Sequence, residues 1–301
     1  MKAAAVPERQ GTMTVSTAAG QLVVCASHSP GLARDVDERQ GLVFRAGMEA
    51  ARSRVAAFAP DVVVFFGSDH RRTFTDIVPA FAIVTEAAGL GDLGSPTGRY
   101  DVPADTADRM AKHLLDHGFD VAVVRGARLD HGFGQTFAQL VGMLGGVPVL
   151  PVFVNCATPP LPACARVWEL GEAVGRYTRG IAERPLFVGS GGLSHSPPSL
   201  EGTAVGLSDE ERTRVNREGF EAAKTKIDPV WDREFLGRLS AYDRPALKSL
   251  TDDAIGLAGV GAQEVRTWLA AAAAGGVALQ TVAYEPVPEW ITGMGVAMSA
   301  P

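Results

Sequence analysis

Six short runs of the chain are continuously apolar, with no alternation of hydrophobic and polar positions. Continuous apolarity over five to eight residues is typical of strands that are buried on both faces of a sheet. The runs are LVVCA (22–26), VVVFF (62–66), AFAIV (80–84), VAVVR (121–125), VPVLPVFV (147–154) and PLFVG (185–189). We therefore predict a strand at each of them.

Segments with helical periodicity separate these runs, at residues 37–58, 104–117, 135–144 and 162–182. After residue 195 the character changes to charged helical stretches at 208–226, 231–240 and 262–274, with a last strand near 277–284. Alternating strands and helices favour a mostly parallel sheet. The predicted fold is a single α/β domain with a mostly parallel central sheet flanked by helices and a helical C-terminal portion.

The first 20 residues lack the apolar block of a secretory signal. We predict a disordered extension over residues 1–20 and one catalytic domain over residues 21–301. The longest apolar stretch, 268–279, is far shorter than the roughly 20 residues that cross a bilayer, so no membrane segment is expected.

The formal net charge is −6, and no dense Lys/Arg cluster is present to follow a phosphate backbone. These features argue against nucleic acid and favour a small molecule or a protein as partner. Three cysteines, Cys25, Cys156 and Cys164, show no CxxC spacing. We interpret them as buried reduced thiols, which favours a cytoplasmic location.

Four of the six histidines follow predicted strands: His28, His70, His131 and His195. Carboxyl ends of parallel strands share one sheet edge, where α/β proteins build their sites. A single histidine in a loop often does no more than form a hydrogen bond with a backbone carbonyl. Four histidines at one edge of the sheet instead favour a shared site.

The other two histidines, His113 and His117, have the i, i+4 spacing of a zinc motif but lack its glutamate. Together with the neighbouring Lys112 and Asp116, they are interpreted as a solvated helix face.

Imidazole clusters serve metal binding or proton transfer, and two histidines with one carboxylate are typical of non-haem Fe(II). Many carboxylates qualify as the third ligand, and composition does not choose among them. The glycine-rich GSGGLSH (189–195) matches neither a nucleophile elbow nor a phosphate loop. Its glycines indicate a close approach of the backbone to another group.

Seven segments in the same order resemble the class III extradiol dioxygenases, and the likeness runs from about Leu22 to Met298. They are SHSP (27–30), SDH (68–70), DHGF (130–133), VPVLPVFVN (147–155), GSGGLSHSPP (189–198), EVRTW (264–268) and PVPEWITGMG (286–295). The resemblance implies O₂-dependent extradiol cleavage of a catechol, with a propionate side chain or another substituent. It also implies a homo-oligomer.

The resemblance further implies an Fe(II) site formed by His28, His70 and Glu264, with Glu289 as the reserve carboxylate. Two alternatives stay open. One is a zinc-dependent dioxygenase or hydrolase that uses His28, His70 and His195, and the other is a metal-free binding protein of the same fold. Retention of every motif histidine argues against the second.

By the same resemblance, His131 is the proton donor and His195 the proton acceptor, with Asp130 orienting His131. Three arginines lie near motif histidines in the sequence: Arg71, Arg72 and Arg128. They are candidates to bind a substrate carboxylate, although the simpler interpretation is that they are ordinary surface residues.

Overall fold

The computed structural model describes residues 20–202 and 206–300. The predicted disordered extension at residues 1–20 lies outside this part of the chain, apart from Gly20. In the described ranges, no helix has the length and apolarity needed to cross a membrane.

In the part of the chain that the structure describes, one sheet of nine strands forms the centre. Its strands are β1 (Leu22–Ala26), β2 (Val62–Gly67), β3 (Phe81–Leu90), β4 (Thr97–Arg99), β5 (Ala122–Leu129), β6 (Val149–Val154), β7 (Pro185–Ser190), β8 (Leu279–Val287) and β9 (Thr292–Ser299). The order across the sheet is β4-β3-β6-β2-β7-β1-β9-β8, and β5 pairs with β3.

The sheet is mixed, so the prediction of a mostly parallel sheet was wrong. β6, β2, β7 and β1 form a parallel centre. β3 is antiparallel to β6 on one side, and β9 is antiparallel to β1 on the other. The sequence analysis also missed β4 and β9. The β9 segment, TGMGVAMS, carries two glycines and lacks a β-branched run such as the VVV of β2.

Helices cover both faces of the sheet and supply the predicted helical C-terminal portion. They are α1 (Pro30–Arg34), α2 (Leu42–Phe58), α3 (Ala104–Asp116), α4 (His131–Leu140), α5 (Cys164–Arg179), α6 (Pro198–Glu201), α7 (Asp209–Glu218), α8 (Phe220–Lys224), α9 (Pro229–Ser240), α10 (Arg244–Lys248), α11 (Asp252–Gly256) and α12 (Val265–Gly275). The 3₁₀ helices Val260–Glu264 and Pro288–Trp290 precede α12 and β9, respectively.

Several helix ends differ from the predicted ones for local reasons. α2 begins only at Leu42, because Gly41 adopts a left-handed conformation with φ of 65°. α4 begins four residues earlier than predicted, since the Asp130 side chain accepts a hydrogen bond from Gly132 N and caps the helix. The single helix predicted over 208–226 is two helices that meet at Gly219.

The central strands are buried on both faces, as their continuous apolarity predicts. Val23 and Cys25 of β1 belong to one hydrophobic cluster, whereas Leu22 and Val24 belong to another on the opposite face. All three cysteines are buried and free, as expected. Burial raises the pKa of the Cys156 thiol to about 12.

Candidate active site

Three of the predicted site histidines lie at one edge of the sheet. β1, β2 and β7 run parallel, and His28, His70 and His195 follow their carboxyl ends. All three side chains are buried. The parallel centre of the sheet therefore brings these histidines together for the reason that the sequence analysis gave.

His131 reaches the same place by a different route. β5 pairs parallel with β3, which is antiparallel to β6, so β5 runs opposite to the central strands. His131 instead enters as the first residue of α4, and its ring stacks on that of His70 with centroids 4.3 Å apart. The convergence was predicted, but the argument from a shared parallel edge does not apply to His131.

The Nε2 atoms of His28 and His70 face each other across 3.4 Å. Nδ1 of His28 lies 3.0 Å from Ser190 Oγ, and that hydroxyl donates to the carbonyl oxygen of Gly132. The serine oxygen can thus accept from Nδ1–H of His28, which leaves Nε2 of that ring unprotonated. Burial lowers the pKa of His28 to about 3, so this imidazole is neutral.

Asp130 orients His70, so the prediction that it orients His131 was wrong. Its Oδ2 accepts from both the backbone N–H and Nδ1 of His70, each at 2.9 Å. Burial alone would lower the pKa of His70, but the carboxylates of Asp130 and Glu264 raise it well above its usual value. Nδ1–H of His70 therefore points at Asp130, and Nε2 points into the site.

Glu264 completes the group from the other half of the chain. Its Oε1 lies 2.8 Å from Nε2 of His70, and its Oε2 lies 3.7 Å from Nε2 of His28. Although burial acts to raise the pKa of Glu264, the neighbouring histidines bring it well below its usual range. The residue is 3% exposed, so a charged carboxylate is held away from solvent.

The glycines of GSGG make room for Glu264. A Cβ on Gly191 would lie 2.6 Å from Cβ of Glu264, and the backbone N–H of Gly192 donates to Glu264 Oε2 at 2.7 Å. A Cβ on Gly192 would also lie 2.6 Å from Cε1 of His195. The close approach inferred from the sequence is therefore to two of the site's own side chains.

The reserve carboxylate, Glu289, is not part of this group. It is exposed, and its only described ion pair is with Lys224 at 4.0 Å.

These donors fit a divalent metal ion. The unprotonated nitrogen of His28 and the inward-facing nitrogen of His70 meet one carboxylate, which matches the two-histidine, one-carboxylate pattern. Both Nδ1 atoms are held by oxygen atoms, as is usual for histidine ligands. Two buried carboxylates, Asp130 and Glu264, further favour a cation here. His131 also has a ring nitrogen within 4.8 Å of those of His28 and His70, which makes a three-histidine group a second possible set.

His195 lies beside this group, with Nε2 4.0 Å from Glu264 Oε2. Nδ1 of His195 is 2.7 Å from the carbonyl oxygen of Leu193. A carbonyl oxygen only accepts, so Nδ1 carries the hydrogen and Nε2 of the neutral ring has a free lone pair. This arrangement suits a base.

Asp92 is a site residue that sequence reasoning missed. Its Oδ2 lies 2.7 Å from Nδ1 of His131 and 3.4 Å from Nε of Arg72. Asp92 lies 39 residues before His131, in the irregular segment between β3 and β4, where no sequence signal marks it.

The four histidines line one cavity with an empty volume of about 710 Å³, including its opening. Leu200, Phe220, Trp290 and Ile291 contribute apolar surface to the cavity. Its wall also carries three arginines: Arg34, Arg72 and Arg212.

Of the three candidate arginines, only Arg72 lines this cavity. Arg71 is buried against the carbonyl oxygen of Ala157, so the surface interpretation of it was wrong, whereas Arg128 is exposed as expected. The rings of His113 and His117 contact each other at a tilt on α3 and its C-cap, and neither lines the cavity. His117 is exposed as predicted, whereas His113 is half-buried beside Tyr177, so the solvated face was wrong for His113.

Comparison with known proteins agrees with this geometry. Residues 22–295 match the family described as the catalytic LigB subunit of aromatic ring-opening dioxygenase. The chain is 36% identical to the 2,3-dihydroxyphenylpropionate/2,3-dihydroxicinnamic acid 1,2-dioxygenases of Escherichia coli strains K12 and O8 IAI1, over 90% of this chain and 96% of each relative.

The fold also resembles the crystal structure of an uncharacterized protein from Escherichia coli K12. The TM-score is 0.50 at 16% identity, covering 93% of this chain and 99% of the other. That likeness concerns the fold alone, whereas the family match and the 36% identity extend over most of the chain. The chain therefore belongs to the LigB family of aromatic ring-opening dioxygenases and is an extradiol dioxygenase.

Proposed function

We propose that this protein is an Fe(II)-dependent enzyme that cleaves 3-(2,3-dihydroxyphenyl)propionate, or a closely related catechol, beside its diol. The observation that carries the proposal is the convergence of Glu264 and four buried histidines in one cavity. The relatives' names support the substrate class. Both oxygen atoms of O₂ enter a ring-opened hydroxy-oxo-dienedioate.

His28, His70 and Glu264 hold the metal in this proposal. When bound, Fe(II) supplies open positions for the two catechol oxygens and for O₂, together with the redox chemistry that joins them. Glu264 is preferred to His131 as third ligand because its carboxylate lies close to both Nε2 atoms. His131 is then left for proton transfer.

His195 accepts a proton from a catechol hydroxyl. Its Nδ1–H donates to the Leu193 carbonyl, so the lone pair of Nε2 is the group available to the substrate. A catechol must lose protons to bind a metal through both oxygens, and a neutral imidazole takes one at neutral pH.

His131 donates a proton later in the reaction. Its Nδ1 is held by Asp92, and a carboxylate beside the ring compensates the positive charge that a protonated imidazole carries. Nε2 of His131 is thereby left as the donating atom. Asp92 thus holds Nδ1 of His131 in the way that Asp130 holds Nδ1 of His70.

A panel of catechols tests the proposal. Metal-free protein is loaded anaerobically with Fe(II) or with Zn(II), and each form is mixed with air and one catechol. We expect the Fe(II) form to give a yellow ring-opened product from 3-(2,3-dihydroxyphenyl)propionate, with one O₂ consumed per product. Activity with Zn(II) alone would support the zinc alternative, and absence of product from every catechol with Fe(II) would contradict ring cleavage.

Two variants separate the roles of the histidines. His195→Ala should bind Fe(II) like the wild type but lose most turnover, by about 100-fold or more, because a general base contributes on that scale. His28→Ala should lose bound iron. The measurements are iron content after gel filtration and the initial rate at saturating Fe(II). A wild-type rate for His195→Ala would remove its role as base.

We also propose that the protein is a homo-oligomer in the cytoplasm, as the resemblance and the free thiols suggest. Sedimentation velocity at several concentrations and fractionation of the producing cells test the two statements.

A further inference from the structure

Three arginines lie where the active site meets its entrance. Arg34, Arg72 and Arg212 line the cavity that contains the histidines and also the wider outer opening of about 1290 Å³. Arg34 is exposed and its Nε donates to the carbonyl oxygen of Pro30, so Arg72 and Arg212 are the more enclosed pair. Arg72 is close to the reacting end, because one oxygen of Asp92 lies 3.4 Å from its Nε and 2.7 Å from Nδ1 of His131. A group bound by these arginines therefore lies within the same cavity as the proposed proton donor.

The two guanidinium groups differ in their counter-charges. Arg72 forms an ion pair with Asp209 at 2.7 Å. Arg212 contacts the carbonyl oxygen of Arg71 at 3.5 Å, and its buried Nε has no hydrogen-bond partner in the described part of the chain. Burial and the neighbouring Arg72 lower the pKa of Arg212, and the carboxylate of Asp209 offsets them only in part. Arg212 is thus a half-buried cation whose Nε–H is unused.

A half-buried guanidinium that makes one contact at 3.5 Å, and no ion pair among the described residues, favours an anionic ligand that supplies further acceptors. Its planar set of donors suits a carboxylate, which it binds through two parallel hydrogen bonds. Asn216 lines the same cavity one helical turn after Arg212 on α7, and its Oδ1 accepts from Ser199 N at 2.9 Å. The amide nitrogen of Asn216 is then a further donor beside the guanidinium.

The apolar wall of the cavity limits where a charged substituent can go. Leu200, Phe220 and Ile291 suit an aromatic ring but offer no partner for an anion. In 3-(2,3-dihydroxyphenyl)propionate the side chain is on the ring carbon next to one hydroxyl, and two methylenes carry its carboxylate beyond the diol. The arginines at the entrance are the cations available to it.

We propose that Arg212, assisted by Arg72 and Asn216, binds the carboxylate on the side chain of the catechol and so selects anionic substrates. The inference rests on the proposed function, because the catechol oxygens fix the other end of the ligand.

The test compares two substrates of similar size and different charge. They are 3-(2,3-dihydroxyphenyl)propionate and the neutral 3-propylcatechol. The variants are Arg212→Met, which keeps the apolar stem, and Arg212→Lys, which keeps the charge. The control is Arg214→Met on the same helix, because Arg214 is exposed and pairs with Glu218 at 3.0 Å.

We expect Arg212→Met to raise KM for the propionate by about 10- to 100-fold, the loss typical of a hydrogen-bonded charge. Its kcat for the propionate, and both constants for 3-propylcatechol, should stay within about twofold of the wild type, since the diol end is untouched. Arg212→Lys should fall between the wild type and Arg212→Met, and Arg214→Met should match the wild type. A merely structural role would instead impair both substrates equally, and that result overturns the inference.

A binding measurement separates this inference from the proposed chemistry. Calorimetric titration with 3-phenylpropionate, which lacks the diol, reports the carboxylate contact without any turnover. If the wild type cleaves neither catechol, the proposed function fails, while loss of 3-phenylpropionate binding in Arg212→Met still supports the arginine contact. Equal binding of 3-phenylpropionate by the wild type and Arg212→Met overturns that contact, whatever the enzyme cleaves.

Discussion

Replacing Asp130 by Asn tests how the protein holds its metal. Asp130 Oδ2 accepts two hydrogen bonds from His70, and Oδ1 accepts one from Gly132 N at 2.9 Å. An asparagine has one acceptor oxygen in place of two. Whichever way the amide is turned, at least one N–H that now donates to Asp130 faces an NH₂ group. Keeping the oxygen toward His70 preserves two bonds and loses one, so this orientation is expected.

The lost bond leaves a buried Gly132 N–H unsatisfied, which costs about 1–3 kcal/mol of the free energy of unfolding. The lost bond is also the N-cap of α4, but Phe133 N and Gly134 N still donate to the backbone carbonyl of residue 130, so α4 should still form with a weaker first turn. The lost negative charge makes Nε2 of His70 a weaker donor to a metal. Changes of this kind typically lower metal affinity by 10- to 100-fold, or about 1.4–2.7 kcal/mol.

The assay is anaerobic titration with Fe(II), followed by turnover at saturating Fe(II). Asp92→Asn is the matched control, because Asp92 is also a carboxylate beside a site histidine but contacts His131. We expect Asp130→Asn to weaken Fe(II) binding and Asp92→Asn to lower kcat at unchanged Fe(II) affinity. Wild-type Fe(II) affinity in Asp130→Asn, or equal loss of affinity in both variants, refutes the assignment.

Three further changes test other parts of the site and the core. Glu264→Gln should lose Fe(II) affinity while Glu289→Gln retains it, as iron content after dialysis will show. Gly261→Ala puts a Cβ against the ring of His195. It should lower kcat by about 100-fold, because misplacing a reacting group by about 1 Å costs about that much, while iron content is retained. An unchanged kcat would contradict this packing. Leu186→Ala empties a fully buried position of β7 and should lower the free energy of unfolding by about 2–5 kcal/mol in urea.

Much of the fold around the site is predictable because local sequence patterns determine it. The apolar runs locate β1, β2 and β7, and His28, His70 and His195 follow them directly. Parallel pairing of these strands then brings the side chains together. For these three histidines, a local rule and one rule of sheet geometry are enough.

Strand direction is not a local property, and this is where the predictions failed. An apolar run such as that of β3 is equally compatible with either direction, so the antiparallel pairing of β3 with β6 was missed. The role of Asp130 was misassigned for a related reason. Adjacency in sequence favours His131 as its partner, but at the start of α4 the carboxylate of Asp130 is directed toward His70, 60 residues away.

The position of β1 in the sheet has a consequence for how the enzyme acquires its metal during synthesis. β1 is made first, yet its neighbours on either side are β7 and β9, and Glu264 lies between these two in sequence. His28 and His70 therefore emerge from the ribosome long before their carboxylate partner. We expect metal capture to be a late step of maturation, because the proposed ligand set is complete only once Glu264 has been made.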